Sequence, residues 1–241
     1  FTGGTETGRA LAVKAAQKLM PVSLELGGKS PTIVFADADM EQALAGVLFG
    51  IFSSTGQSCI AGKRLILHES IADNFMEEFV RQVRELKSGD PLDEDTFIGT
   101  LAREDLAEDL EKQIQDSVND GAKIVLGGKR DRAYLEPTIL TGVTSEMKMF
   151  TEETFGPVIG VTTFKKDQEA VDLVNLSKFG LGVSIFTEDM EFAEKLVPEF
   201  EDGAVFVNEL VKSDPRLPFG GTKTSGYGRE LSEDGIKEFV N

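Results

Sequence analysis

Short apolar runs rich in β-branched and aromatic residues alternate along this chain with longer stretches of helical periodicity, and every connection between successive runs is long enough to hold a helix. Parallel neighbours need such crossovers, whereas antiparallel ones need only a tight turn. The alternation therefore points to an α/β architecture, a doubly wound and mostly parallel sheet. Strands are expected at residues 22–26, 31–35, 65–67, 123–126, 158–164, 183–186 and 204–207. Asp39 is placed to cap a helix, with Gln42 as its capping-box partner. The helix carries Met40, Ala43, Leu44, Val47, Leu48, Ile51 and Phe52 on one face, and Gly56 is expected to stop it. Ser70 is expected to cap a second helix with the stripe Ile71, Phe75, Phe79 and Val83. Leu106, Leu110, Ile114 and Val118 mark a third, closed by Gly121, and residues 170–177 and 192–197 continue the pattern. Loops fall at 87–95, 127–132 and 212–228; the last is long enough to be functional or to cross between domains.

Phe1 precedes a glycine-rich run, Thr2-Gly3-Gly4-Thr5-Glu6-Thr7-Gly8, that opens a helical stretch at 9–20. A turn of this kind normally follows a strand, so the chain reads as beginning inside a βα unit, as a piece of something longer. Its 241 residues, 40% hydrophobic, suffice for a sizeable core. The net charge of −17 would repel nucleic acid and anionic membranes. No run approaches the length of a membrane span. One cysteine allows neither an internal disulfide nor a multi-cysteine zinc site, no carboxylate cluster has metal-ligand spacing, and an unpaired thiol suits the cytoplasm.

That cysteine, Cys59, stands in Gly56-Gln57-Ser58-Cys59. A free cysteine is commonly a small buried hydrophobe. Here the flanking glycine and polar neighbours suit a turn whose free N–H groups lower a thiol's pKa and bind an oxyanion. Glu25 lies in an apolar strand, where burial would raise its pKa toward that of a general base; pairing with Lys29 at the surface is the alternative. Gly3 and Gly4 at a helix start offer N–H groups to a pyrophosphate, although many helices begin after glycines. Glu153 and Phe155, before Gly156-Pro157, offer a carboxylate and a ring to a ribose and a flat heterocycle, or simply form a turn. His68, the only histidine, has no serine elbow beside it and reads as an exposed structural residue.

Together, Phe1-Thr2-Gly3, Glu25-Leu26-Gly27-Gly28-Lys29, Gly56-Gln57-Ser58-Cys59, Glu153-Thr154-Phe155-Gly156-Pro157, Pro218-Phe219-Gly220-Gly221 and Ser225-Gly226 resemble the aldehyde dehydrogenase superfamily in order and spacing over essentially the whole chain. The stretch from Val211 to Glu230 is most similar to bacterial NAD(P)-dependent succinate-semialdehyde dehydrogenases. The resemblance implies Cys59 as the thiolate nucleophile and Glu25 as the base that activates the hydrolytic water. It implies contacts to NAD or NADP from Gly3, Gly4, Leu26, Gly27, Glu153 and Phe155. Lys212, Ser213, Arg216 and Phe219, with Asn208, would line or support the channel for a small aldehyde, and the full-length protein would be a homo-oligomer. It further implies residues 28–221 as the catalytic domain, with 1–27 and 222–241 as remnants of the cofactor-binding domain. Gly4 stands where the family usually carries serine, and Ser53 where some relatives carry a carboxylate-binding arginine. The family's N-terminal half is absent, so a catalytically inactive structural fragment is the alternative to an enzyme, as is a dehydrogenase for another aliphatic aldehyde.

Overall fold

The computed structural model describes residues 1–240; Asn241, the end of the expected third segment, lies outside the described residues. Among these, a seven-stranded sheet forms the centre. Its strands are β1 (Ser30–Val34), β2 (Gly62–His68), β3 (Lys123–Leu126), β4 (Thr138–Thr141), β5 (Val158–Phe164), β6 (Val183–Phe186) and β7 (Val205–Val207). In space they run β7-β6-β1-β2-β5-β4-β3. All neighbours are parallel except the edge pair β3 and β4, which are antiparallel. The expected doubly wound α/β class is therefore the observed one. β4 escaped the sequence reading because threonine stands at both ends and leaves only Ile139 and Leu140 as apolar signal.

Helices cover both faces of the sheet, with the first and last lying outside the three core clusters. They are α1 (Thr5–Ala16), α2 (Met40–Phe52), α3 (Glu69–Arg84), α4 (Glu104–Asn119), α5 (Lys148–Thr151), α6 (Asp167–Asn175), α7 (Met190–Leu196) and α8 (Ser232–Lys237). Side chains alternate across a strand. On one face Val34, Leu65, Leu67 and Val161 meet α2 and α3 through Val47, Ile51, Phe75 and Phe79. On the other, Ile33, Ile66, Val183 and Ile185 meet α6 and α7 through Val171, Val174, Ala193 and Leu196. A strand buried on both faces has no solvent side to show, which is why Leu65-Ile66-Leu67 in β2 reads as an apolar run, while Lys63 and Arg64 in the same strand are buried as well.

Local details correct the expectations. Asp39 does accept from the N–H of Gln42, but the Gln42 side chain donates to the Asn208 carbonyl instead of closing a capping box. α2 ends at Phe52, before Gly56, and Ser54, Thr55 and Gly56 then take positive φ values of 52°, 56° and 66°. His68, not Ser70, caps α3: its Nδ1 accepts from the Ser70 N–H, and its ring meets Phe164 edge-on. The long 212–228 connection folds back on the molecule. Thr222–Lys223 pairs with Phe179–Gly180, and Gly226–Tyr227 pairs antiparallel with Leu24–Glu25. No helix among the described residues is long and apolar enough to cross a membrane.

Candidate active site

Three chain segments converge where neighbouring strands β1, β2 and β5 begin. Glu25 to Gly28 lead into β1, the turn bearing Cys59 leads into β2, and Glu153 to Pro157 lead into β5. Backbone contacts fasten them together. Gly28 packs against the Cys59 carbonyl oxygen so closely that a side chain at residue 28 would overlap it. The Gly28 N–H donates to Glu153 Oε1 at 2.9 Å. A methyl group on Gly27 would lie 2.6 Å from Glu153 Oε2. Ser225 Oγ donates to the Gly27 carbonyl at 2.7 Å, and Leu26 N–H donates to the Ser225 carbonyl at 2.9 Å. Two adjacent glycines are therefore needed here for close approach.

Glu25 is 5% exposed, and its Oε1 has no hydrogen-bond partner. Burial and then the charge of Glu230 push its pKa up to about 7, against the opposing pull of Arg229. A buried, unsatisfied carboxylate oxygen is costly and is explained where water or substrate is to be bound. The alternative pairing of Glu25 with Lys29 is overturned. Lys29 is 1% exposed and donates instead to Thr154 Oγ1 at 2.8 Å. Burial, then Lys63 and Arg64, hold the Lys29 pKa well below the ordinary lysine value.

Cys59 is half-buried. Its thiol pKa is raised, not depressed as the turn suggested: burial contributes most, then the charges of Glu153 and Glu25. The N–H groups of Cys59 and Ile60 pull the other way, but less. Burial likewise raises Glu153, against the Gly28 N–H and the two lysines Lys29 and Lys63. Burial and the charges of Glu153 and Glu25 thus act together against the thiolate form of Cys59.

Gly3 and Gly4 are exposed at the start of α1, with Gly4 as its N-cap. A cavity of about 340 Å³ runs from Gly4, Thr5 and Thr7 to Glu153 and Lys178. Free N–H groups of a helix start and a carboxylate thus share one opening, as a dinucleotide's pyrophosphate and ribose require. Phe155 is 41% exposed, beyond Glu153. Leu26 is buried and would meet any methyl group placed on Gly8. The proposed channel cations are already paired within their own loop. Arg216 makes a two-pronged contact with Asp214 through Nε and Nη2, and Lys212 Nζ donates to Glu209 Oε2 at 2.7 Å. Ser213 is exposed, while Phe219 is half-buried and exchanges backbone hydrogen bonds with Glu230. Asn208 adopts φ 53°, and its amide bonds both the N–H and the carbonyl of Thr187, so it supports the loop instead of lining a channel. The sequence reading missed Gly28 as the contact to Cys59, Lys63 as a buried cation, and Glu230 as a charge acting on Glu25; Gly28 and Glu230 lay inside recognised stretches, Lys63 did not.

The family model of the aldehyde dehydrogenase family matches residues 1–241. The chain is 44% identical over 243 residues to a succinate semialdehyde dehydrogenase of Escherichia coli, covering all of this chain and 53% of that protein. It is 42% identical over 246 residues to a peroxisomal aminoaldehyde dehydrogenase of Pisum sativum, covering all of this chain and 49% of the relative. The crystal structure of an NAD-dependent aldehyde dehydrogenase from Sinorhizobium meliloti superposes with a TM-score of 0.97 at 40% identity, over all of this chain and 49% of that one. The chain spans about half the length of the curated relatives it matches.

Proposed function

The chain belongs to the aldehyde dehydrogenase family, and on that premise we propose that the protein oxidises an aldehyde to the carboxylic acid with NAD or NADP. The observation that carries the proposal is the convergence of Cys59, Glu25 and Glu153 at the starts of three adjacent strands. Cys59 passes its proton to water, its thiolate sulfur attacks the aldehyde carbon, and the backbone N–H groups of the turn steady the oxyanion of the hemithioacetal. The bound nicotinamide supplies the acceptor for the hydride that leaves this adduct, and the enzyme is left as a thioester on Cys59. Glu25, with a pKa of about 7 and an unpartnered oxygen, takes a proton from water as that water attacks the thioester. The acid departs and the thiol is restored. Glu153, held by the Gly28 N–H, would hold the nicotinamide ribose, and Phe155, Leu26 and Gly27 would contribute further contacts to the nicotinamide end of the cofactor. Gly3 and Gly4 would offer the N–H groups of the start of α1 to its pyrophosphate.

Residues 28–221 form the catalytic unit in this reading, and 1–27 and 222–241 belong to the cofactor-binding side. The pairing of Leu24–Glu25 with Gly226–Tyr227 supports that division. The substrate is a short aliphatic aldehyde with a carboxylate tail, succinate semialdehyde first. The named relative from Escherichia coli supports this, and the two-pronged Arg216 offers the fork that a carboxylate would take in exchange for Asp214. The protein works in the cytoplasm as a homo-oligomer. The test is cofactor reduction by the protein as its gene encodes it, with a panel of aldehydes. Activity should be greatest on succinate semialdehyde and absent in Cys59→Ala. No reduction with any aldehyde, or full activity in Cys59→Ala, would sink the reading.

A further inference from the structure

The bend from Glu153 to Gly156 is gripped from several sides. The Gly28 N–H holds Glu153 Oε1, Lys29 Nζ holds Thr154 Oγ1 at 2.8 Å, and Gln113 Nε2 from α4 donates to the Glu153 carbonyl at 3.2 Å. The remaining hold comes from Lys63 on β2, whose Nζ donates to the Gly156 carbonyl. Lys63 is 2% exposed. A methyl group on Gly56, at φ 66° in the turn before Cys59, would lie 2.6 Å from Lys63 Nζ and would overlap the Gly156 carbonyl oxygen. The ammonium therefore sits at the junction of the turn that carries Cys59 and the bend that carries Glu153. The charged groups acting with it there are Glu153 and Lys29. An apolar side chain of similar length would fill the same space without the cost of burying a cation. What the ammonium adds is a grip on one carbonyl and a positive charge facing one carboxylate.

We propose that Lys63 is a positioning residue for the cofactor, locking the Glu153–Gly156 bend against the Cys59 turn so that Glu153 is presented, ionised, to the ribose. This rests on the reading of Glu153 given above. Lys63 touches neither substrate nor cofactor, so its removal should weaken cofactor binding while leaving the thiol in place. The same burial brings the Lys63 pKa down to about 7, so its charge on Glu153 is present below that pH and fades above it.

The experiment is direct titration of the protein with NADH and NADPH, followed by nucleotide fluorescence, for wild type, Lys63→Met and Lys63→Gln. Lys63→Met should lose about tenfold or more in affinity, the scale of one charge-assisted hydrogen bond. Lys63→Gln, whose amide can still donate to Gly156, should recover part of the affinity. The gap between wild type and Lys63→Gln should be widest below pH 7 and narrow above it. Wild-type affinity in both variants, or a gap between wild type and Lys63→Gln that does not change with pH, would overturn the proposal. If Lys63→Met does not fold, Lys63→Gln decides by its pH dependence alone. Failure of the wild type to bind either nucleotide would instead bring down the functional reading, and this inference with it. Tight wild-type binding with unaffected variants would bring down only the role of Lys63.

Discussion

Gly28 lies against the carbonyl oxygen of Cys59, with no room for a methyl group between them. The strand that carries Glu25 and the turn that carries the thiol are thus in backbone contact. Gly28→Ala should push the two apart, with an overpacking cost of about 1–3 kcal/mol in chemical denaturation and loss of most aldehyde oxidation. A variant with wild-type stability and turnover would show that the contact is slack.

The thiol of Cys59 should titrate above the ordinary cysteine value, because burial and two carboxylates oppose the thiolate. Iodoacetamide alkylation rates followed against pH should therefore rise late. Glu153→Gln removes one of those charges and should move the midpoint to lower pH. An early midpoint in the wild type would mean that the N–H groups of Cys59 and Ile60 dominate after all.

Glu25 acts as a base only when ionised, so hydrolysis of the thioester should climb as pH rises through about 7. Glu25→Gln should lose about 10²–10⁴-fold in steady-state turnover. A rapid burst of cofactor reduction should survive, since hydride transfer precedes the slow step. Retention of normal turnover would remove Glu25 from the mechanism.

The same carboxylate makes a stability prediction. Its folded-state pKa lies above the unfolded value, so the folded protein binds the proton more tightly, and stability falls as pH rises from the ordinary carboxylate range through about 7. Glu25→Gln should leave Tm nearly unchanged at pH 4, where both states are protonated, and raise it at pH 8. A lower Tm at pH 8 would mean that the ionised carboxylate has a partner it gains by folding.

Thr154 is fully buried and accepts from the buried Lys29 ammonium. Thr154→Val should leave that ammonium unpartnered and cost about 1–3 kcal/mol or more in denaturant unfolding. Adding Lys29→Met to the same chain should restore part of the loss, since removing both polar partners removes the desolvation cost as well. Losses that simply add would argue against coupling between the two.

Arg216 is 85% exposed in its pairing with Asp214, so Arg216→Ala should leave the denaturation midpoint essentially unchanged. Its effect should appear in KM: about tenfold higher for succinate semialdehyde, with little change for an uncharged aldehyde of similar length. Asp214→Asn frees the guanidinium and should lower the first KM. Equal changes on both aldehydes would return the substrate to a general aliphatic aldehyde.

Most of the architecture was legible because it rests on local periodicity. The alternation of apolar runs and helical stripes requires crossovers, and crossovers require a mostly parallel sheet. Cys59, Glu25 and Glu153 could likewise be picked out from their glycine-rich neighbourhoods. What a linear pattern does not carry is spatial order. β2 lies between β1 and β5, although two strands intervene in the chain between β2 and β5, and that adjacency alone brings the three segments together. Charge follows from the same cause. The turn at Cys59 argues by itself for a depressed thiol, but burial, and after it the fields of Glu153 and Glu25 arriving from distant segments, act in the opposite direction and win. Lys29 and Lys63 read as ordinary surface lysines until the fold encloses them, because desolvation is a property of what packs around a group and not of its neighbours in sequence.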